Sequence, residues 1–365
     1  MVTRYKIHEN EMGNRGSKSL LINSVKEQRV YGSYRNFLFP KQINQFRLRC
    51  TLTACESKCQ VKIPSKFNLN KTSILDPWFV TGLTDSEGYF LLKKHRSSFQ
   101  CQFGITLHST DKQLVSDIYK FFNCGTLNLN KKRNVCIFQT SSINDLVNKI
   151  IPHFEMYPLQ TQKKADFLLF KEAVLLKLNK HLNVEDFIKL KASMNRGLSL
   201  KLKDTYPNII PTIRPTIFLN KNWAPMWIAG FVSGDGGFYI SIVKNKYLKF
   251  RFVICQNIRD KELIEYFKIY FKCGTLYQNK KDNCIYYTVT NKDELRNIIA
   301  PFFSTWKVKG IKYNNFVKWL HILELYKGKQ LKNEDLLKIK EIINSMNSYY
   351  LINLKEKQMN IDDLN

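Results

Sequence analysis

The sequence predicts an α+β protein built from two copies of one domain, each running helix, two strands, helix, two strands, helix, helix. Three observations carry this. CGTLNLNKK at 124–132 returns as CGTLYQNKK at 273–281, seven identities in nine residues 149 positions apart. The match extends in register: Asp111-Lys112 falls on Asp260-Lys261, Pro152 on Pro301, Phe154 on Phe303, Lys163 on Lys312, Phe167 on Phe316 and Phe170 on Trp319. After each first helix comes a stretch that alternates in twos, the signature of a strand with one covered face. Upstream, PWFVTGLTDSEGYF (77–90) lies over PMWIAGFVSGDGGFYI (225–240), but Glu87 and Asp235 are only 148 apart, so one residue is gained downstream of them, in a hairpin.

Length and composition bound the rest. With 365 residues, two repeats of about 125 residues can each bury a core. A hydrophobic content of 44 %, with 18 Tyr and 25 Phe, argues against disorder, and no apolar run reaches the roughly 18 residues of a membrane span. Fifty-eight Lys and Arg against 30 Asp and Glu leave a net charge of +28, which points to a polyanionic partner. Nucleic acid is favoured over an anionic membrane surface or a ribosome, because the basic residues are interleaved with strand-like aromatic stretches and do not form one amphipathic helix. Nine scattered cysteines fit a reducing compartment; Cys50, Cys55 and Cys59 have no fourth ligand at zinc spacing.

In chain order, 1–75 has no counterpart in the repeat and reads as a leader or N-terminal extension. The first domain spans 76–200, a linker 201–222, the second domain 223–347, and a tail 348–365. Asp76 before Pro77 is an N-cap followed by proline at the first helical position, and the helix runs to Gly88; its second version starts at Pro225 and stops near Gly236. Phe103, Ile105 and Leu107 then form an apolar strand face against Gln100, Gln102, Gly104 and Thr106. In the second copy Phe250, Phe252 and Ile254 oppose Lys249, Arg251, Val253 and Cys255. Pro207, Pro211 and Pro215 prevent a continuous helix between the copies and favour an extended crossing. Gly82 and Gly230, with Thr81 and Ala229, put small side chains on one face of each first helix, so that two backbones can approach closely.

VTGLTDSEG (80–88) and IAGFVSGDG (228–236) both resemble the nonapeptide that names the LAGLIDADG homing endonucleases, in their two-motif, single-chain form. The resemblance covers 76–347, and the segments MGNRGSKS and VKEQR are similar to those preceding members encoded in organellar introns. It implies motif helices packed at the centre, antiparallel sheets forming a DNA-binding saddle, and metal-dependent cleavage of long DNA sites.

Each motif ends in a carboxylate, Glu87 or Asp235, followed at once by Gly88 or Gly236. A carboxylate at a helix C-terminus meets the negative end of the macrodipole, unfavourable by about 0.3–1 kcal/mol, and two such acids side by side repel. A divalent cation held at Glu87, Asp235, Gly88 and Gly236 relieves both effects. Mg²⁺, which takes one or two carboxylates plus water and phosphate oxygens, suits the position. Phosphodiester hydrolysis follows, one cut per strand. Asp85 is matched by Ser233 and is assigned no metal role. Lys131 and Lys280, the repeated lysines of the nonapeptide, are candidate catalytic groups because basic residues sit around the scissile phosphates in the family. A plain solvated turn is the alternative for each.

Counting in twos from the acids assigns DNA reading to Tyr89, Leu91, Lys93, His95, Gln100, Gln102 and Thr106 in the first copy, and to Tyr239, Ser241, Val243, Asn245, Lys249, Arg251 and Val253 in the second. The expected function is a site-specific endonuclease making a staggered double-strand break in a long, non-palindromic target, acting as a monomer on double-stranded DNA with no membrane partner. The alternative is a maturase that binds its intron RNA. Lys-, Asn- and Ile-rich composition suggests an AT-rich organellar genome and a mitochondrial location.

Overall fold

Helix α1 (Pro77–Glu87) starts where the sequence places it, because the Asp76 carboxylate accepts from the Trp78 and Phe79 amides at 2.8 and 3.3 Å. It is the first element of a computed structural model that describes residues 75–94, 98–279, 282–326, 328–332 and 334–346. Residues 1–74 of the expected leader, the whole expected tail (348–365), Cys50, Cys55, Cys59, His95 and Lys280 lie outside the described residues.

From α1 the chain passes into β1 (Gly88–Lys94), β2 (Phe99–His108), α2 (Lys112–Phe122), β3 (Thr126–Asn130) and β4 (Val135–Thr140). Short helices α3 (Ile143–Asp145) and α4 (Ile151–Met156), joined through a π turn, lead to α5 (Lys163–Leu178), and α6 (Val184–Ser193) and α7 (Leu200–Thr205) follow. The second copy repeats the order with α8 (Pro225–Asp235), β5 (Gly236–Val243), β6 (Tyr247–Asn257), α9 (Lys261–Phe271), β7 (Thr275–Asn279), β8 (Cys284–Val289), α10 (Lys292–Glu294), α11 (Ala300–Thr305) and α12 (Ile311–Leu325). Residues 206–224 between the copies carry neither helix nor strand.

Each copy forms an antiparallel four-stranded sheet, ordered β1-β2-β4-β3 and β5-β6-β8-β7. Lys94 pairs with Phe99, whereas Ile242 pairs with Leu248, which puts the extra residue of the second copy in its β5–β6 hairpin. One face of each sheet is sealed by helices, and its aromatic core is duplicated position for position. Phe90, Phe103, Phe138, Phe154, Phe167 and Phe170 are matched by Phe238, Phe252, Tyr287, Phe303, Phe316 and Trp319, all buried.

The CGT turn recurs for a structural reason. Asn123 and Lys272 end α2 and α9 in the left-handed region at φ 47° and 52°, Cys124 and Cys273 are buried, and Gly125 and Gly274 are left-handed at φ 76°. A Cβ at Gly125 would also stand 2.5 Å from the Gln139 carbonyl oxygen. Glycine is therefore required to turn the chain into β3 and β7.

At the centre α1 and α8 cross with their backbones in contact. A Cβ on Gly82 would lie 2.0 Å from the Trp227 carbonyl oxygen, and one on Gly230 would lie 2.1 Å from that of Phe79. Only glycine fits at either position, and the crossing brings both helix C-termini together.

Candidate active site

The crossing fixes where the two acids stand. Glu87 and Asp235 are the last residues of α1 and α8, both half-buried, and a Cβ on Gly234 would meet Glu87 Cγ at 2.8 Å, so the acid of the first helix lies against the second. Gly88 and Gly236 open β1 and β5 with ordinary negative φ. A Cβ at either would strike Thr84 Cγ2 or Val232 Cγ1 at 2.5 Å in each case, so the close turn into the strand requires glycine.

The positive charge at this point comes from a pair of lysines the sequence reading matched but did not assign. Lys163 opens α5 and donates to the carbonyl oxygens of Thr84 (2.7 Å) and Ser86 (3.4 Å), at the C-terminal end of α1. Its counterpart Lys312, in the first turn of α12, donates to the Gly236 carbonyl oxygen. Burial pulls the Lys312 ammonium below its ordinary range, while the charges of Glu87, Asp235 and Asp111 hold it up. These lysines answer the dipole problem posed by acids at helix C-termini.

Lys131, by contrast, stands exposed in the turn after β3, on the strand of its sheet farthest from β1. Among the described residues it is Lys163 and Lys312, and not Lys131, that the structure brings to the ends of the motif helices. The signal was present: both lysines open a helix between two duplicated buried aromatic pairs, Phe154/Phe303 before them and Phe167/Phe316 after. The lysine repeated in the more conspicuous motif drew the assignment instead.

Gln256 is a second residue the sequence reading passed over. It continues the buried face of β6 after Phe250, Phe252 and Ile254, is 3 % exposed, and donates from Nε2 to Asp235 Oδ2. A polar residue on an apolar strand face was its signal; Leu107 holds the matching place in β2. Asp85 is fully buried and accepts from the Gln160 amide (2.9 Å), the Thr161 amide (3.2 Å) and hydroxyl (2.6 Å), and Trp227 Nε1 (2.8 Å). Burial pushes its carboxyl up, against the pull of those hydrogen bonds and of Lys163. It ties the loop before α5 to both central helices.

The outer sheet faces carry the expected reading residues with local differences. Tyr89, Leu91 and Lys93, and Tyr239, Ser241 and Val243, point away from the core and are half-buried. Lys249, Arg251 and Val253 do the same on β6, as does Gln100 on β2. Gln102 and Thr106 share that face but are only 4 % and 6 % exposed, not free polar side chains. Gln102 takes the Lys93 ammonium on Oε1 at 2.6 Å and donates from Nε2 to Gln139 Oε1 at 2.6 Å and to the Tyr89 hydroxyl at 3.3 Å. Tyr89 lies over Gly104, where a Cβ would come within 2.3 Å of its hydroxyl, and Tyr239 lies over Gly237 with the Arg251 guanidinium 5.9 Å from its ring centre. Both tyrosines thus pack down onto the sheet. Asn245 is in the β5–β6 turn, where Lys244 and Asn245 have φ of 52° and 51°; counting in twos ran past the strand end at Val243.

Among known proteins, the sequence pattern of the LAGLIDADG endonuclease family matches residues 80–174 and 228–323. The chain belongs to this family. It is a DNA endonuclease, a phosphodiester hydrolase, built as the two-motif form. A probable intron-encoded endonuclease 3 of Neurospora crassa is 35 % identical over 366 residues, spanning 89 % of this chain and 68 % of that protein. Among solved structures, the LAGLIDADG homing endonuclease I-GzeII in complex with its DNA target superposes with a TM-score of 0.69 at 35 % identity, covering 75 % of this chain and 99 % of that one. I-SmaMI bound to an uncleaved DNA target in the presence of calcium ions superposes with a TM-score of 0.68 at 32 % identity, covering 75 % and 99 %.

Proposed function

We propose that this LAGLIDADG endonuclease makes a Mg²⁺-dependent, staggered double-strand break in a long, non-palindromic DNA target. One observation carries the reading: two helix C-terminal carboxylates meet at the pseudo-twofold centre, with Lys163 and Lys312 brought to the same point, between two sheets with polar outer faces. The donor set fits a hard cation. Among the described residues no cluster of three or more His, Cys, Asp or Glu forms a closed cage, and two carboxylates from facing helices leave the remaining positions to water and phosphate oxygens, as Mg²⁺ prefers. I-SmaMI, similar in fold, was captured on DNA with calcium ions, another hard divalent cation.

Glu87 and Asp235 would hold the metal, which when bound activates water and neutralises charge at the phosphate and the leaving oxygen. The chain's own groups prepare the site. Gln256 orients the Asp235 carboxylate, and Lys163 and Lys312 bring fixed positive charge to where the phosphate gains negative charge, in a partly water-excluded place where such charge acts strongly. Both motif helices come from one chain, which supports a monomer. Intron-encoded relatives and the Lys-, Asn- and Ile-rich composition support a mitochondrial origin. The maturase alternative needs only a basic surface and leaves the acid–lysine cluster without work.

The test is cleavage of a substrate carrying the mapped target with Mg²⁺, by wild type, Glu87→Gln and Asp235→Asn. Each variant keeps size but loses a metal-neutralising charge, and double-strand cleavage should fall by at least about a hundredfold, within the range for losing electrostatic stabilisation at a reacting centre, while DNA binding persists. Wild-type rates in both variants would sink the assignment.

A further inference from the structure

The internal match also repeats an Asp-Lys pair, Asp111-Lys112 and Asp260-Lys261. Each aspartate occupies the N-cap position of a helix, α2 or α9, where its carboxylate would ordinarily accept from that helix's own first amides. Neither does so. Asp111 Oδ1 instead accepts from the Ile311 amide of the other copy at 2.7 Å, and Asp260 Oδ1 accepts from the Gln162 amide of the other copy at 2.7 Å.

These two amides stand at the start of α12 and α5, the helices whose first turns carry Lys312 and Lys163. The N-cap residues there, Gly310 and Gln162, make no side-chain cap bond of their own. On α5 the Thr161 hydroxyl oxygen takes the Lys163 amide at 3.1 Å, a partial substitute. On α12 the approach of the foreign carboxylate is so close that a Cβ at Gly310, where φ is +67°, would lie 2.2 Å from Asp111 Oδ1. Asp260 is 6 % exposed with Arg259 Nε 3.6 Å from its second oxygen, and Asp111 is half-buried.

We infer that Asp111 and Asp260 are reciprocal positioning residues, each copy of the domain holding the lysine-bearing helix of the other in register with the central acids. The inference rests on Lys163 and Lys312 acting in cleavage. Its consequence is crossed dependence: the strand whose cleavage uses Lys312 depends on Asp111 from the first copy, and the strand that uses Lys163 depends on Asp260 from the second. A residue that merely stabilised the fold would slow both strands alike.

The experiment is single-turnover cleavage of the mapped target by the full chain, with each DNA strand labelled separately and binding measured in Ca²⁺. Lys163→Ala and Lys312→Ala first identify the strand each lysine serves. Asp260→Ala is expected to slow the Lys163 strand at least tenfold more than the other, and Asp111→Ala to do so for the Lys312 strand, each accumulating a nicked intermediate with Kd within about threefold of wild type. Asp111→Asn and Asp260→Asn retain an accepting oxygen and should restore the strand balance. Equal slowing of both strands in the Ala variants, slowing of the opposite strand, or failure of Asn to restore the balance overturns the inference. Undiminished cleavage by both lysine variants would instead strike the functional reading on which it rests.

Discussion

Asp235 and Glu87 are equivalent in the repeat but not in their surroundings, and the difference comes down to one position on the second strand. Gln256 gives its amide to Asp235, while the first copy has Leu107 in that place. A hydrogen bond to a charged acceptor contributes about 1.5–3 kcal/mol, so losing it from the reacting arrangement should cost about tenfold or more in rate. Gln256→Leu, which installs the other copy's residue, should slow one strand's cleavage by about that factor and leave the second near wild type, as read by strand-resolved single-turnover kinetics; equal rates on both strands would show that the amide orients nothing. At this scale the acids were legible in the sequence because a carboxylate before glycine ends both motifs. Gln256, Lys163 and Lys312 were not assigned, because their work depends on which strand end and which helix start arrive at the crossing, and that is decided by tertiary packing.

Helix and strand boundaries were the most legible layer, and they follow from local chemistry: Asp76 before Pro77, Gly88 and Gly236 at the ends of the motif helices, and apolar alternation along β2 and β6. What escaped was how elements meet. The α1–α8 crossing makes Gly82 and Gly230 intolerant of even a methyl group, because the nearest atom is backbone and cannot yield. Gly230→Ala should therefore cost about 1–3 kcal/mol or more, beyond any gain in helix propensity, measured by urea denaturation; a neutral or stabilising result would contradict the packing. On α4 a second contrast between the copies yields a pH test. His153 is buried among Phe121, Phe122, Phe154 and Tyr157, where the equivalent residue is Phe302. The Thr81 hydroxyl donates to the Tyr157 carbonyl oxygen at 3.0 Å, so His153 Nε2, 3.1 Å from that hydroxyl oxygen, must carry the proton and donate. Burial lowers its pKa to about 3 from 6.5. Between those values the unfolded chain binds a proton that the native state refuses, so stability is full above about pH 6.5 and is lost on acidification at up to about 1.4 kcal/mol per pH unit. His153→Phe should remove that component, so the wild-type unfolding free energy minus that of the variant should become steadily less positive, or more negative, from pH 7 to 5; a constant difference would mean that the imidazole is not held neutral.

The whole molecule is two copies of one scaffold carrying different chemistry on corresponding faces, and its net charge of +28 sets the general attraction to DNA. If that charge tracks phosphates, log affinity should fall with log salt by about 0.9 for each phosphate neutralised, and a flat dependence would argue for another partner. Sequence specificity is what the expected reading residues of the outer sheet faces would supply. The duplicated architecture was readable from the repeat alone, and so was the contrast between amide-bearing β2 and cationic β6. The cross-strand network that buries Gln102 was not readable, because it joins residues from three strands. That network divides the two reading surfaces further than composition does. In the first copy Lys93 is spent on Gln102, leaving neighbouring Gln100 half-buried on the outer face; in the second, Lys249 and Arg251 stand half-buried on the outer face of β6 beside Tyr239. Amides match adenine and Lys or Arg matches guanine in the major groove, each good bidentate contact carrying about 1–3 kcal/mol of discrimination. The target half-sites should accordingly differ, and replacing Lys249 and Arg251 by Gln should relax or shift base preference, by roughly 5- to 150-fold per contacted base, only in the half-site under β5–β8. Cleavage profiled over all single-base variants of the target would reveal this, and a change shared equally by both half-sites would refute the separation of the two surfaces.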